Sequence, residues 1–308
     1  MNHQVVCIGA MLVDELFYCQ QNVVAGTSNP ASVTRSPGGV MRNIVHHLVL
    51  LGIPVEFITV AGNDADGEWL MKNCRETGIS MSNTLIAECN TGKYAALLNP
   101  DGSLFAAAAV NPSEEFLTIP LLQSKKEILN KTTMIVADTN LGTNVLEWLI
   151  EYCKTSNKLL IIEPVSVAKA NKLSDINLNG LYMVTPNEDE LLSLSTQCHK
   201  KDDICLELFD KGVEYVWLRK GAKGSEIISA NSSQHLAAPK VKVSDITGAG
   251  DAALAAWIAA YTLKMTPKQC MLAAHTMAAS VLQVKGAIDK SINQKKLIES
   301  IKFFYPNE

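Results

Sequence analysis

The sequence predicts an α/β fold in which a mostly parallel central sheet carries helices on both faces. Short apolar runs alternate with segments of helical spacing from residue 5 to residue 218, as in parallel sheets built with crossover helices. Of the 308 residues, 47% are hydrophobic and 19% charged, so the chain can bury a large core. Two segments that break the alternation carry hairpin signals and predict a small additional sheet.

The first elements form a strand, helix, strand unit. An apolar strand at Val5–Ile8 opens the chain, and Asp14 follows just past its end, where open α/β sheets bind their ligands. Residues 39–52 have the apolar spacing of a helix bounded by glycines. Residues 55–60 then predict another buried strand. We therefore expect two parallel strands joined by a helix.

The same alternation continues through the second half of the chain. The further elements predicted are, in order, strand 134–137, helix 145–155, strand 159–162, strand 182–184, a helix from Glu188 and strand 215–218. Strands separated by helices favour parallel pairing, so these strands should extend the sheet begun by the first unit.

Two regions interrupt this order and predict short antiparallel strands. One is 17–33, and the other pairs 94–98 with 104–108 through an Asn-Pro-Asp-Gly-Ser turn at 99–103. Inserted at the carboxyl edge of a parallel sheet, such strands can form a lid over a ligand or a dimer surface. Ordinary surface hairpins explain the same pattern equally well.

Charge and hydropathy exclude several classes of partner. Lys and Arg number 27 against 31 Asp and Glu, a net charge of −4, which gives no electrostatic footprint for nucleic acid or an anionic membrane. The longest apolar stretches, such as 252–263, are too short to span a bilayer, which takes about 20 residues. The first residues lack the pattern of an export signal, so we expect a soluble cytoplasmic protein.

No cysteine or histidine pattern indicates a metal centre. The eight cysteines contain no C-x-x-C pair, and we interpret them as reduced core residues. His46 and His47 are adjacent, so their side chains diverge on a helix, and no H-E-x-x-H motif accompanies them. We interpret both as core side chains.

The most informative segment is Gly-Ala-Gly-Asp at 248–251, followed directly by a helical run of small residues. A Gly-Ala-Gly turn that opens a helix leaves backbone N–H groups unpaired and points the positive end of the helix dipole outward. The glycines let a phosphate approach the backbone closely. Gly248, Ala249 and Gly250 therefore predict an anion hole.

Asp251 has two interpretations. In an arbitrary helix, a carboxylate in the first turn simply stabilises the N-terminus through the helix dipole. Beside an anion hole, the same carboxylate can accept the proton of an attacking hydroxyl while the N–H groups stabilise charge on a transferring phosphoryl group. The second interpretation predicts a phosphotransferase.

This segment resembles the second signature of the ribokinase-like (PfkB) carbohydrate kinase family. Three further segments match that family in order: Gly-Gly-Val-Met-Arg-Asn at 38–43 its first signature, Asn-Glu-Asp-Glu at 187–190 its N-x-x-E motif, and Gly-Ala-Lys-Gly at 221–224 its nucleotide loop. The resemblance covers nearly the whole chain. It implies a three-layer sandwich in which residues 1–308 form one kinase domain, with a lid made by about 14–35 and 91–110.

The resemblance also implies roles for the matched residues. Asp251 would be the catalytic base, and Gly248, Ala249 and Gly250 would form the anion hole. The residues implied to bind the acceptor are Asp14, Gly38, Gly39, Asn43, Tyr94 and Asn140.

On the nucleotide side, the resemblance implies ATP and Mg²⁺ as cofactors. Asn187 would face the ATP phosphates, and Glu190 would organise the water shell of Mg²⁺. Taken singly, these two residues also fit a helix cap and a first-turn carboxylate. The residues implied to lie near the adenine are Arg219, Gly221, Gly224 and His275, the last of which also fits a satisfied helix histidine. Asp245 and Thr247 resemble positions whose backbone oxygens bind a monovalent cation, so K⁺ stays open as a third cofactor.

Within the family, the sequence is most similar to the pseudouridine kinases. The similarity lies in Gly-Gly-Val-x-Arg-Asn-Ile at 38–44, Thr-Gly-x-Tyr at 91–94, Asp-x-Asn at 138–140, and Glu-Pro-Val-Ser at 163–166 with Lys169. The sequence departs from the family pattern at Met41, where many members have a small residue, at Arg219, where Thr is usual, and at Ile246.

The resemblance thus implies ATP-dependent phosphorylation of the 5′-hydroxyl of a nucleoside, pseudouridine before others, by a homodimer formed through the lid. A ribokinase or another sugar or nucleoside kinase of the family is the nearest alternative, and a non-catalytic nucleoside- or nucleotide-binding regulator is a second. The sequence has neither G-x-G-x-x-G after its first strand nor G-x-x-x-x-G-K-[ST], which argues against a dinucleotide-binding oxidoreductase and a Walker-type NTPase.

Overall fold

A nine-stranded sheet forms the centre of the computed structural model, which describes residues 5–306. Its strands, in spatial order, are β13 (Ser232–Leu236), β12 (Ser225–Ser229), β11 (Tyr215–Arg219), β10 (Met183–Val184), β9 (Leu159–Glu163), β8 (Met134–Asp138), β1 (Val5–Ile8), β4 (Val55–Gly62) and β5 (Thr84–Ala87). The pairs β11–β12 and β12–β13 are antiparallel, and the other neighbours are parallel. The predicted mostly parallel sheet is confirmed; β5, β12 and β13 were not predicted.

Helices cover both faces of this sheet, as predicted. One face packs against α1 (Val40–Leu50), α2 (Ala65–Glu76), α10 (Ala249–Thr262), α11 (Pro267–Val281) and α12 (Gln294–Phe304). The other face packs against α3 (Ser113–Phe116), α4 (Ile119–Ser124), α5 (Lys126–Lys131), α6 (Thr143–Thr155), α7 (Val167–Ala170), α8 (Glu188–Leu192) and α9 (Lys201–Asp210).

Alternating side chains of the strands build the two core layers. In β8, Met134 and Val136 belong to the layer shared with α1 and α10, whereas Ile135 and Ala137 point into the opposite layer. Both sets are fully buried, which explains why the parallel strands appear as continuous apolar runs in the sequence. Helix α10 is buried along most of its length, and its alanines let α1 and α11 pack closely on it.

A separate four-stranded sheet, called here the small sheet, has the order β3 (Ala31–Gly38), β2 (Leu12–Cys19), β6 (Lys93–Leu98) and β7 (Leu104–Val110). The predicted antiparallel pairs are confirmed as β2–β3 and β6–β7, and the two pairs join in parallel through β2 and β6. Asp14 belongs to the small sheet, within the segment 14–35 predicted to form a lid. It lies inside β2, opposite Ser36 and Tyr94, because the chain leaves the short β1 and enters the small sheet at Leu12.

The structure also describes the cysteines, the two adjacent histidines and the lengths of the apolar helices. All eight cysteines are free thiols, and six of them are buried. His46 and His47 are buried on α1, where His47 Nε2 lies 3.1 Å from the carbonyl oxygen of Ala287. No helix within residues 5–306 combines the length and the hydropathy needed to cross a bilayer.

Candidate active site

Polar side chains gather at the carboxyl ends of the parallel strands. Asp138 is the last residue of β8, Glu163 of β9 and Arg219 of β11. Asn187 follows β10 and pairs with Arg219 through an isolated parallel β-bridge. Asp138 and Glu163 are almost completely buried. Burying carboxylates is costly unless they have partners, so their position at one sheet edge marks this edge as the candidate site.

The N-terminus of α10 opens at this edge. Gly248 caps it in the left-handed conformation, with φ 73°, and no side chain caps the helix. Within residues 5–306, the N–H groups of Gly250 and Asp251 have no protein acceptor, and the Ala249 N–H reaches Ile246 O only at 3.4 Å. Residues 248–251 are partly exposed. The first turn therefore offers free donors and a positive dipole end to an anion.

The packing of the protein itself also constrains the glycines of this turn. A Cβ on Gly248 would lie 2.6 Å from Ala287 Cα, which is backbone, and a Cβ on Gly250 would lie 2.7 Å from Arg219 Nη1, the end of a side chain. From the sequence alone, the approach of a phosphate explains the glycines. The contacts with Ala287 and Arg219 add a second reason, which depends on residues distant in sequence.

Asp251 is held from the opposite helix. Asn43 on α1 donates through Nδ2 to Asp251 Oδ2 over 2.7 Å, and Asn43 Oδ1 is buried without a partner in the described chain. Burial raises the pKa of Asp251 to about 7; the Asn43 hydrogen bond opposes this rise, the charge of Glu163 adds to it, and Arg219 and Arg42 oppose it. A carboxylate with a pKa near neutrality can accept a proton at physiological pH.

The start of α1 is fixed by close backbone packing. Gly39 has φ 94°, and a Cβ there would lie 2.6 Å from Ala10 O. At Gly38, a Cβ would collide with the carboxylate of Asp14. Glycine at these positions lets α1, Asp14 and the loop after β1 come close together.

Arg42 belongs to the Gly-Gly-Val-Met-Arg-Asn motif, which assigned it no role of its own, and the structure places it in the site. It is 4% exposed, donates through Nε to Gly38 O over 3.3 Å, and also donates to the Pro37 carbonyl. Burial raises the pKa of Asp14 to about 6, and the positive charge of Arg42 opposes that rise. An arginine among the apolar positions at the start of a helix was the signal that could have revealed it.

A second polar cluster borders this region. Asp138 accepts hydrogen bonds from the N–H groups of Ala10, at 3.1 Å, and Asn140, at 3.0 Å. Asn140 Oδ1 in turn accepts from Asn111 Nδ2 at 3.0 Å and from Lys169 Nζ. Since Gly39 packs against Ala10, the cluster lies next to the start of α1. The sequence analysis named Asn140 and Lys169 but missed Asn111.

Tyr94 lies in β6 and is paired in register with Asp14 of β2. Residues in register on neighbouring strands project on the same face of a sheet. The small sheet therefore presents Tyr94 and Asp14 together.

Asn187 and Glu190 form a capping box at the start of α8. Glu190 N donates to Asn187 Oδ1 at 2.8 Å, and Asn187 N donates to Glu190 Oε2 at 2.9 Å. Both residues thus have the structural roles that the sequence left open. Glu190 also lies 3.5 Å from Arg219 Nη2, and burial, followed by the nearby charge of Glu163, raises its pKa.

The loop after β11 is a short turn, Gly221–Lys223, that ends at Gly224 with φ 96°. His275 lies behind it, with Nε2 2.7 Å from Ser225 Oγ and Nδ1 3.2 Å from Tyr305 Oη. Burial lowers the pKa of His275 to about 4. Both ring nitrogens thus have partners in the protein, and the satisfied-histidine interpretation fits this geometry.

Asp245 shapes the loop before α10. Its Oδ1 accepts from the N–H and the hydroxyl of Thr247, at 2.9 and 2.7 Å, and its Oδ2 accepts from Gly286 N at 2.9 Å. These bonds tie the loop to the segment after α11. Ile246 between them is 77% exposed.

The carboxylate of Glu190, 3.5 Å from Arg219 Nη2, is of the type that holds Mg²⁺ together with a ligand. No group of three His, Cys, Asp or Glu side chains in the described part of the chain forms a metal cage. Mg²⁺ is typically held by one or two carboxylates together with phosphate and water oxygens, and Glu190 offers one such carboxylate.

Comparison with known proteins supports this assignment of the fold and shows the family. The family model described as pfkB family carbohydrate kinase matches residues 2–295. The pseudouridine kinase of Escherichia coli K12 is 29% identical over 257 residues, which cover 82% of this chain and 81% of that protein. The guanosine-inosine kinase of Exiguobacterium acetylicum is 24% identical over 287 residues, covering 91% of this chain and 94% of that protein.

The fold is also that of a solved kinase structure. The Arabidopsis thaliana ribokinase, complexed with ribose and ATP, superimposes with a TM-score of 0.85 at 21% identity, covering 98% of this chain and 100% of that chain. The ribokinase-like fold predicted from the sequence is therefore confirmed.

Proposed function

This chain belongs to the pfkB family of carbohydrate kinases, which act on hydroxyl groups of sugars or nucleosides, and from that membership we propose an ATP-dependent nucleoside kinase with pseudouridine as its preferred acceptor. The observation that carries the proposal is the 2.7 Å hydrogen bond from Asn43 to Asp251. It brings the N-terminal halves of α1 and α10 together, so a base and an anion hole meet the acceptor side of the site.

Asp251 acts as the general base. It takes the proton from the 5′-hydroxyl as the new O–P bond forms and the bond to the β-phosphate breaks, leaving ADP with the electron pair. The free N–H groups of Gly250 and Asp251, with Gly248 and Ala249 shaping the turn, stabilise the charge on the transferring group. A pKa near 7 leaves a large fraction of Asp251 ionised at neutral pH.

ATP lies between α10 and the loop 221–224. Asn187 has its side-chain oxygen committed to the helix cap, so its amide nitrogen is the group that can face the phosphates. Mg²⁺ bound with ATP neutralises phosphate charge, and Glu190 is the carboxylate that can hold its water shell. K⁺ at the backbone oxygens of Asp245 and Thr247 remains part of the proposal.

The ribose hydroxyls of the acceptor are held by Asp14 and Asn43. Asn43 Oδ1 is a buried acceptor without a partner in the described chain, which a ligand hydroxyl can satisfy. Gly38 and Gly39 let the acceptor approach the backbone next to Asp14. Tyr94 shares the face of the small sheet with Asp14 and is placed to cover the sugar.

The Asn140 cluster recognises the nucleobase of the acceptor. A uracil ring joined to the sugar through carbon exposes two N–H donors and two carbonyl acceptors. Lys169, Asn111 and Asn140 offer both donors and acceptors beside the start of α1. The similarity to a pseudouridine kinase over four fifths of the chain favours this acceptor over a free sugar.

The small sheet serves as a lid and as the surface of a homodimer. Its edge strand β7 is exposed along its length and consists entirely of apolar residues, including Phe105 at 48% exposure. A long apolar edge strand is a surface that another chain can cover. Sedimentation equilibrium should give twice the chain mass of 33.4 kDa, and a single-chain mass would refute the dimer.

A coupled ADP-release assay with pseudouridine, uridine, ribose, guanosine and adenosine tests the acceptor. We expect the highest kcat/KM with pseudouridine. Turnover of ribose alone would replace the proposal by a ribokinase. ATP binding without turnover of any acceptor would favour the regulator instead.

A further inference from the structure

Arg219 packs directly on the first turn of α10. Its Nη1 atom lies 2.7 Å from the position that a Cβ on Gly250 would take. The side chain is 15% exposed, so the guanidinium is largely buried and still accessible from the site. An arginine at this position brings a full positive charge to the amide groups that form the anion hole.

Glu163 fixes the guanidinium from one side only. Arg219 Nη2 donates to Glu163 Oε1 over 2.7 Å, and Glu190 Oε2 is 3.5 Å from the same nitrogen. The second oxygen of Glu163 accepts from the Thr185 hydroxyl at 2.6 Å, so Glu163 is itself held in place. This anchoring uses one terminal nitrogen of the guanidinium and leaves the other end at Gly250.

Nε and Nη1 of Arg219 have no partner in the described part of the chain. Nε is buried without a hydrogen bond in the described chain, and no hydrogen bond between residues 5 and 306 uses Nη1. Buried donors without partners are rare and costly, which indicates a ligand acceptor at this point. Burial opposes the charged form, but Glu163 and Glu190 favour it, and the balance raises the pKa of Arg219.

We infer that Arg219 is a catalytic residue that donates hydrogen bonds to the oxygens of the transferring phosphoryl group, with Glu163 as its positioning residue. The inference rests on the proposed kinase function. During transfer the acceptor oxygen bonds to the γ-phosphorus, its proton passes to Asp251, and the γ-phosphorus to oxygen bond of ATP breaks with its electrons left on ADP. Arg219 keeps its own protons throughout and stabilises the charge spread over the phosphoryl oxygens.

The strain in the neighbouring loop is consistent with this role. Val165 has φ 67°, a conformation that a β-branched residue rarely adopts, and its N–H donates to Glu163 Oε1 at 3.3 Å. Strained residues persist where the surroundings fix them, often at functional sites. Here the strained residue supports the carboxylate that holds Arg219.

The test compares Arg219→Gln, Arg219→Lys and the double variant Arg219→Gln/Glu163→Gln with the natural protein. The double variant removes both members of the 2.7 Å ion pair, so the Glu163 carboxylate is not left buried without its partner if the single variant folds poorly. Lys211→Gln is the matched control, since it removes a partly buried charge that pairs with Glu207 at the end of α9 and has no contact with Arg219, Glu163 or Glu190 among the described residues. Thermal unfolding establishes that each variant is folded.

We expect kcat to fall about 10²- to 10³-fold in Arg219→Gln and in the double variant, with the Kd for MgATP changed much less. Added guanidinium ion, well below denaturing concentrations, should restore part of the lost kcat in both, but not in Asp251→Asn. A kcat close to that of the natural protein would overturn the inference. So would a Kd for MgATP that rises by the same factor as kcat falls, because Arg219 would then only bind nucleotide.

Failure of the proposed function gives a different result. In that case the natural protein itself shows no phosphoryl transfer to any acceptor of the panel, and the inference falls with the function. An active natural protein with fully active Arg219 variants refutes the role of Arg219 alone.

Discussion

The side chains of Asn43 and Asp251 are joined by a 2.7 Å hydrogen bond although 208 positions separate them in the sequence. This bond links α1, whose start lies against Asp14, to α10, whose first turn carries free N–H groups. The two glycine-rich segments of the sequence therefore form one site. Because Asn43 donates this hydrogen bond to the carboxylate, the bond lowers the pKa of Asp251 and so opposes the effect of burial.

Replacing Asp251 by Asn should stabilise the protein. Burial raises the folded-state pKa of this carboxyl from 3.8 to about 7, so the folded protein is progressively destabilised relative to the unfolded chain as pH rises from 4 to 7. The neutral amide removes this cost and can keep the bond from Asn43. We expect Tm at pH 8 to rise by about 2–6 °C, with a smaller difference at pH 4, as measured by calorimetry. A lower Tm at pH 8 would contradict the buried, destabilising charge.

Turnover should depend on the ionisation of Asp251. Because the ionised form is the base, kcat/KM should increase tenfold per pH unit below the apparent pKa and level off above about 7. Glu163 raises the pKa of Asp251, while Arg219 and Arg42 lower it. Glu163→Gln should therefore move the acidic limb of the profile to lower pH. A limb that stays in place or moves to higher pH would show that Glu163 does not act on Asp251.

The two glycines of the α10 turn should respond differently to Ala. Gly248→Ala places a Cβ against Ala287 at φ 73°, so it should destabilise the protein by about 1–3 kcal/mol in chemical denaturation. Gly250→Ala meets only the end of the Arg219 side chain and no backbone atom, so it should cost little stability while displacing the guanidinium and lowering kcat.

Gly102→Ala is the control for the glycine variants. Gly102 has φ 83° with no atom near its Cβ position, so this variant measures the backbone cost alone. Equal destabilisation in Gly102→Ala and Gly248→Ala would exclude the contact with Ala287 as a cause. Unchanged turnover in Gly250→Ala would mean that the Arg219 position is not critical.

Lys169 should contribute to recognition of the acceptor nucleoside. Lys169→Met keeps the length of the side chain but removes the ammonium group that contacts Asn140. We expect the KM for pseudouridine to rise about tenfold or more, with the KM for ATP unchanged. Lys172→Met, which breaks a nearby ion pair with Glu114, should leave both constants close to those of the natural protein. Equal effects of the two variants would argue against base recognition by Lys169.

The sequence was sufficient for most of the parallel sheet and for the glycine turn that opens α10. Most of the parallel strands are largely apolar runs, and the glycine at 248 has a positive φ. The pairing of Asp14 could not be predicted, because Leu12–Cys19 contains the polar side chains Asp14 and Glu15 and its partner strands lie elsewhere in the chain. The register of that strand depends on segments that the linear pattern does not connect.

The charged part of the site was the least predictable. Glu163 and Arg219 are 56 positions apart, and the packing of Arg219 on Gly250 depends on how β11 meets α10. The sequence motif assigned no role to Arg42, and only its burial reveals a charge next to Asp14 and Asp251. Motifs identify the chemical groups of a site, whereas their mutual electrostatics require the tertiary structure.

The most direct test of the account is the rate of pseudouridine-dependent ADP formation by Asp251→Asn, measured at pH 8 with MgATP binding determined in parallel by calorimetry. We expect kcat to fall by about 10²–10⁴-fold, because the base is lost, while MgATP binding is retained. A variant that binds MgATP and turns over at nearly the natural rate would contradict the assignment of Asp251 as the base.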